Sequence, residues 1–394
     1  MLNPVSRRTV LTGAIAAALF LAASPALLHA EQASPIAAAL KPFVDSHTLA
    51  GAVTLAADKD KILAVDAVGF ADIAAKRPMT KDALFWIASM SKPITATAFM
   101  MLVDEGKVSI DDPVEKYLPE FKGQFVVAEQ DEHHVLLRTP VHPITVRNIL
   151  SHTSGLPFKS PIEVPTLDLL PLATRVRSYA MLPLQFEPDS KYQYANAGIN
   201  TAGRIIEVVS GMRYERFLQE RLFTPIGMKD TTFTPNAAQI ARIAKSYKPN
   251  AAKNDLEETP VTQLKYPLDD PSREPMPAGG LFSTAADLAR FCQMILRGGE
   301  LDGKRYLSEK SLRTMTSKQT GDLPNGYGLG WSTDKNADGP FGHGGAYSTN
   351  MLVNPGTGII MIYLVQHAGY PNGDEGKKIQ PAFQKAAAAL APKH

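Results

Sequence analysis

Ser89-Met90-Ser91-Lys92 sets a hydroxyl and an amine three residues apart, just ahead of Pro93 and an apolar-periodic run. On a helix that spacing puts both side chains on one face, one turn apart. A serine hydroxyl becomes a strong nucleophile only when a base takes its proton. A lysine can be that base once its pKa falls, and burial beside the positive end of a helix pushes it down. A chain of this length holds about one S-x-x-K by composition alone. A second match, Ser332-Thr333-Asp334-Lys335, does occur, in a polar turn that offers no helix to align the pair. The tetrad carries weight only in company.

Two further groups supply that company. Tyr194-Ala195-Asn196 is a Y-x-N triplet, and side chains two apart in an extended turn can face one cleft. A phenol beside a lysine can relay a proton to a leaving group, and the amide can orient a substrate carbonyl. By itself such a tyrosine is more simply a half-buried phenol with a polar tip. Tyr370-Pro371-Asn372 is a rival triplet, in a Gly-rich turn after the last predicted strand. His343-Gly344-Gly345-Ala346 lies directly ahead of a C-terminal strand pair. Glycines there let a strand edge come close to a substrate, and a following N–H can join the N–H of Ser89 in an oxyanion hole.

The elements that must position these groups can be read from pattern. Val53 to Ala57 and Ile62 to Gly69 are β-prone runs around Asp58-Lys59-Asp60-Lys61, which predicts a hairpin. A helix follows from about Ser89 to Glu105 and ends at Gly106. Thr349 to Val353 and Ile359 to Val365 flank Asn354-Pro355-Gly356-Thr357-Gly358 as a second hairpin, and Phe383 to Leu390 reads as a closing helix. Strands at both ends with helices between predict an α/β (α+β) fold. One antiparallel sheet flanked by helices is built from about 31–125 and 276–394, with an inserted, mostly helical lobe over about 126–275. Gly198 to Val209 is the clearest amphipathic helix of that lobe.

Composition narrows the function classes. The chain has 394 residues, 44% of them hydrophobic, and a formal net charge of +2. Arg7 and Arg8 lie in an acid-free stretch, 1–30, so its removal leaves a chain close to neutral. Such a chain lacks the basic face that a phosphate backbone demands, which argues against nucleic-acid binding. Ser6-Arg7-Arg8-Thr9 followed by a mildly apolar run to Ala23 has the parts of an export signal, resembling the twin-arginine type, with cleavage expected after Ala30. That run is shorter than the roughly 18 residues of a stable membrane span, so no membrane insertion is expected once the signal is removed, and the expected location is periplasmic or secreted. Cys292 is the one cysteine, so no internal disulfide or Cys/His metal cluster can form around it, and its neighbours predict a helical core position. His133-His134 reads as a solvated pair in an acidic run. Nothing calls for a metal or an organic cofactor.

Taken together and in order, these motifs resemble the serine β-lactamase and D,D-peptidase superfamily, and within it the class C β-lactamase-like branch that includes family VIII carboxylesterases. Ile144 to Leu156, Gly279 to Thr284 and Tyr327-Gly328-Leu329-Gly330-Trp331 extend the likeness over roughly 35–390. The resemblance implies an α/β sandwich with a helical lobe and the site between them. It implies Ser89 as the acylated nucleophile, Lys92 as its base and Tyr194 as proton shuttle. It implies the N–H groups of Ser89 and Ala346 as an oxyanion hole, with Asn196, His343, Gly344 and Gly345 on the substrate side. His152 is expected to brace a loop. The expected partner is a small ester, amide or lactam. Three features tilt the expectation toward esters. No E-x-x-L-N motif follows the Y-x-N. His343 replaces the lysine that would pair with a substrate carboxylate, and an imidazole is mostly neutral at pH 7. Asp189, if it faces the cleft, would repel an anionic substrate. A β-lactamase or D-amino-acid peptidase and a non-turnover cell-wall-peptide binder remain the alternatives.

Overall fold

The computed structural model describes residues 34–333 and 339–391; the expected export signal and Lys335 of the second S-x-x-K lie outside them. After α1 (Pro35–Asp45) come β1 (Gly51–Ala57), β2 (Ile62–Asp72), β3 (Arg77–Pro78) and β4 (Phe85–Trp86), then a 3-10 turn at Ala88–Met90 and α2 (Ser91–Asp104). The middle of the chain supplies α3 (Val146–Ser151), α4 (Leu172–Ala180) and α5 (Asn196–Ser210), with two small ribbons at Val126–Gln130/Val135–Arg138 and Tyr247–Pro249/Leu256–Glu258. The last part adds β5 (Phe282–Ser283), α6 (Ala285–Leu296), β6 (Ser332–Thr333), β7 (Phe341–Gly344), β8 (Asn350–Asn354), β9 (Ile359–Leu364) and α7 (Asp374–Ala388).

The main sheet runs in the order β6-β7-β8-β9-β1-β2-β3, so strands from the two ends of the chain meet at its centre. That junction is antiparallel, with Val53 opposite Leu364 and Leu55 opposite Ile362. Both central strands are buried on both faces, which is why they read as continuous apolar runs and not as alternations. Val53, Leu55, Ile360 and Ile362 turn toward Leu288, Phe291 and Cys292 of α6. Ala52, Ala56, Ile359 and Met361 turn the other way, onto Ile36 and Leu40 of α1 and Ile379 and Phe383 of α7. Period-two alternation thus serves two helical layers at once. Cys292 is wholly buried, and burial pushes its thiol up to about 12.

The cluster on the α6 side continues without a break through α2 into α3, α4 and α5. Residues 91–102 of α2 are all buried, as suits a helix enclosed on every side. α7 begins nine residues before the predicted start at Phe383. Pro381 and Gly376 hid its first turns, and Gly376 is needed where the helix crosses Tyr370, whose Cβ would lie against any added side chain.

Candidate active site

Ser89 sits in the 3-10 turn that leads into α2, half-buried, and Lys92 lies in the first turn of the helix proper. The turn is held from behind. β4 pairs with β5, the Ile87 N–H donates to Leu281 O at 2.9 Å, and Trp86 Nε1 donates to Gly279 O at 2.7 Å. Ala88 has φ +46°, a left-handed value that is costly for a residue with a Cβ. The Ser91 hydroxyl secures that conformation by donating to Ala88 O at 2.7 Å. A sharp bend therefore lifts Ser89 out of the packed layer while leaving Lys92 inside it.

Lys92 is fully buried, and burial holds its amine well below the usual lysine range. Its Nζ has three neighbours: Ala278 O at 2.7 Å, Asn196 Oδ1 at 2.8 Å and Ser89 Oγ at 3.1 Å. The first two are carbonyl oxygens and can only accept. A neutral amine has two N–H groups and one lone pair. The two carbonyls take both N–H groups, and the lone pair is left facing the Ser89 hydroxyl. That is the arrangement in which a lysine can receive the serine proton.

Tyr194 comes from the extended stretch before α5, and its ring centroid lies 4.6 Å from Lys92 Nζ. Burial pushes its phenol up, while hydrogen bonding to Ser89 pulls the other way, so the group stays protonated near neutrality. Asn196 opens α5 and is buried, its amide oxygen turned to Lys92. His152 closes α3 in a left-handed conformation, φ +64°, with its ring 4.5 Å from that of Tyr194 and 4.6 Å from that of Tyr327. The Ala195 N–H donates to His152 Nδ1 at 3.2 Å, which pins the loop between Tyr194 and Asn196. Burial, with Lys92 nearby, keeps His152 well below the usual histidine range.

On the opposite wall, β7 ends at Gly344 and the chain turns through Gly345 to Ala346. The Gly345 N–H donates to Thr349 O at 2.7 Å. A Cβ on Gly345 would strike Thr349 Oγ1 and come within 2.6 Å of Ile87 O. Only glycine lets this turn sit against the segment that carries Ser89. Ala346 is exposed at the turn and its N–H donates to no other described residue.

His343 is buried and fully engaged. Its Nδ1 lies 2.7 Å from Gly344 O and its Nε2 3.0 Å from the Tyr327 hydroxyl. Since a carbonyl only accepts, Nδ1 carries the proton and Nε2 accepts from Tyr327. Burial is the leading cause that holds the imidazole down to about 3, so it is neutral at pH 7.

Ser89, Lys92, Tyr194, Asn196 and His343 thus converge, with Gly344, Gly345 and Ala346 beside them. The rival Tyr370 stacks on His367 at 4.7 Å, on the α7 side of the sheet. Asp189 is exposed, and its Oδ1 accepts from Asn148 Nδ2 at 2.6 Å and from Thr153 Oγ1 at 3.2 Å, tying its loop to α3. Two partners escaped the sequence reading of the site. Tyr327 stood in a stretch noted only for its likeness, and the Ala278 carbonyl has no side-chain signature at all.

A model of the beta-lactamase family matches residues 36–383. The chain belongs to that family. Penicillin-binding protein 4 of Amycolatopsis lactamdurans is 32% identical over 73% of this chain and 73% of its own length. Esterase EstB of Burkholderia gladioli is 29% identical over 81% of this chain and 86% of its own. The solved structure of EstCE1, a hydrolase with promiscuous acyltransferase activity, superposes with a TM-score of 0.73 at 22% identity, covering 90% of this chain and 97% of that one. The protein is a beta-lactamase-fold serine hydrolase with esterase and penicillin-binding relatives.

Proposed function

We propose that this beta-lactamase-family protein is an esterase that cleaves uncharged short-chain acyl esters through an acyl-Ser89 intermediate. Lys92 takes the Ser89 proton as the oxygen attacks the acyl carbon. The N–H groups of Ser89 and Ala346 receive the resulting oxyanion, a contribution of about 3 kcal/mol per donor in such sites. Tyr194 gives its proton to the departing alkoxide and regains one from Lys92. Water then attacks the acyl carbon by the same route in reverse, and Ser89 is released. Asn196 and the turn from His343 to Gly345 flank the acyl group.

The observation that carries the ester preference is the state of His343. Its two nitrogens are committed to Gly344 and Tyr327, and it bears no charge at pH 7. It therefore supplies neither a cation nor a free N–H for the carboxylate of a penicillin or a D-alanyl peptide, so β-lactam hydrolysis is expected to be weak. Likeness to esterase EstB supports this reading. Likeness to penicillin-binding protein 4 favours the second one, a peptidase or β-lactamase on cell-wall-like amides. The choice is tested by kcat/KM on p-nitrophenyl acetate and butyrate beside a D-Ala-D-Ala peptide and a chromogenic cephalosporin. The ester reading predicts the highest values on the esters; a D-alanyl peptide turned over faster would overturn it. We further propose that residues 1–30 are a twin-arginine-like export signal, which makes the working location periplasmic or secreted. Replacing Arg7 and Arg8 with lysines is expected to retain the protein inside the cell.

A further inference from the structure

The carbonyl of Ala278 takes one of the two N–H groups of Lys92. The same residue is held, through its N–H, by a chain of buried polar groups that leads away from the site. The Ala278 N–H donates to Asn200 Oδ1 at 3.0 Å, and Asn200 Nδ2 donates to the Tyr179 hydroxyl at 3.0 Å. Tyr179 in turn donates to Glu163 Oε1 at 2.7 Å, while Glu163 Oε2 accepts the Ser160 N–H at 2.8 Å. Glu163, Tyr179 and Asn200 are each at most 2% exposed. Direction along the chain is fixed, because a carboxylate only accepts and Tyr179, its phenol pushed up by burial, keeps its proton. Asn200 therefore cannot flip: its oxygen must face Ala278 and its nitrogen must face Tyr179.

Asn200 stands four residues after Asn196 on α5, so the two amides share one face of one helix. The first takes a proton of Lys92 directly. The second holds the N–H of the residue whose carbonyl takes the other. We propose that Asn200, oriented by Tyr179 and Glu163, is a positioning residue for the catalytic lysine: it anchors the N–H of Ala278, so that the carbonyl of that residue stays on Lys92 and the lysine's lone pair is directed at Ser89. Two more contacts hold the same segment. Thr95 Oγ1 donates to Pro277 O at 2.7 Å, and Arg175 donates to Pro275 O. Thr95 thereby holds the carbonyl of the same peptide unit whose N–H Asn200 accepts, and the Gly279 N–H, in the plane of the Ala278 carbonyl, donates to Met276 O at 3.0 Å. Without Asn200 the Ala278 N–H loses its acceptor and the residue loses one of its anchors, so its carbonyl can shift and the amine can point an N–H at Ser89 Oγ in place of its lone pair.

This inference rests on Lys92 as the base, and the experiment separates the two. Ester hydrolysis is followed against pH for wild type, Lys92→Ala, Asn200→Ala, Asn200→Asp and Tyr179→Phe, with thermal melts for each. The titratable groups facing Lys92 are Tyr194, His152 and His343, and all four variants leave those three in place. Asn200→Ala is expected to lower kcat about 10- to 100-fold with KM little changed. Tyr179→Phe, which frees the amide to flip, is expected to lower kcat by a smaller factor. Asn200→Asp keeps the acceptor for Ala278 but adds a negative charge behind the lysine, which favours its protonated form. Its acid limb is expected to move up by about one pH unit. Wild-type kcat and acid limb in folded Tyr179→Phe and Asn200→Asp proteins would overturn the proposal, even if Asn200→Ala does not fold. Lys92→Ala with activity near wild type would overturn the role of the lysine itself, and the inference with it.

Discussion

At the level of single residues, the chemistry follows from counting donors and acceptors. Lys92 has two carbonyl partners and one hydroxyl partner, and that count suits a neutral amine with its lone pair on Ser89. His343 has two partners and no charge, so it braces Tyr327 and offers the site no cation. The sequence showed the residue types and their order, because S-x-x-K, Y-x-N and H-G-G each have a spacing that chemistry demands. It could not show which ring nitrogen bears a proton, which Gly344 O and the Tyr327 hydroxyl decide, or that Asp189 accepts from Asn148 and Thr153, 41 and 36 residues before it. Ala278 and Asn200 were illegible for a further reason: one acts through its main chain, and the other looks like any polar residue on an amphipathic helix.

At the level of elements, the two hairpins and the nucleophile helix were legible because their apolar runs are bounded by turn residues. Helix α7 was visible only in its second half, where the Ala-rich run is free of glycine and proline. The bend at Ala88 left no trace, since alanine is not a residue that signals a left-handed turn. Where two elements must touch, glycine marks the spot. Gly345 brings the end of β7 against Ile87, and no side chain fits between them. Gly345→Ala is expected to push the turn away from Ser89, lowering kcat at least 10-fold and lowering the melting temperature as well, because the added Cβ meets the buried Thr349 and the Ile87 carbonyl. Steady-state kinetics beside a thermal melt would check this; unchanged kcat would remove the turn from the site.

Over the whole molecule, one sheet is closed by both ends of the chain, and the buried cluster on its α6 side runs on through α2 to α5. Burial on this scale also takes in titratable groups. His343 and His367 are each held down to about 3, and His152 well below its usual range, with burial the leading cause. Each is neutral when folded but takes a proton near pH 6.5 when unfolded. The unfolded chain thus binds more protons between about pH 6.5 and 3. Stability from these groups is full above that window and is lost as pH falls through it, by about 1.4 kcal/mol per pH unit for each histidine. Chemical denaturation at pH 7.5 and pH 5 is expected to show a clear loss on acidification, part of which disappears in His367→Gln. A pH-independent midpoint would contradict the burial of neutral histidines.

The central claim is that Ser89 carries the acyl group, and it is tested most directly by intact-protein and peptide mass spectrometry. Wild type and Ser89→Ala would be quenched in acid within milliseconds of mixing with p-nitrophenyl butyrate, with release of nitrophenol followed in parallel. The account predicts one butyryl group on the peptide containing Ser89, formed at a rate no slower than turnover, with both adduct and hydrolysis lost in Ser89→Ala. An adduct on another residue, or full hydrolysis by Ser89→Ala, would contradict it.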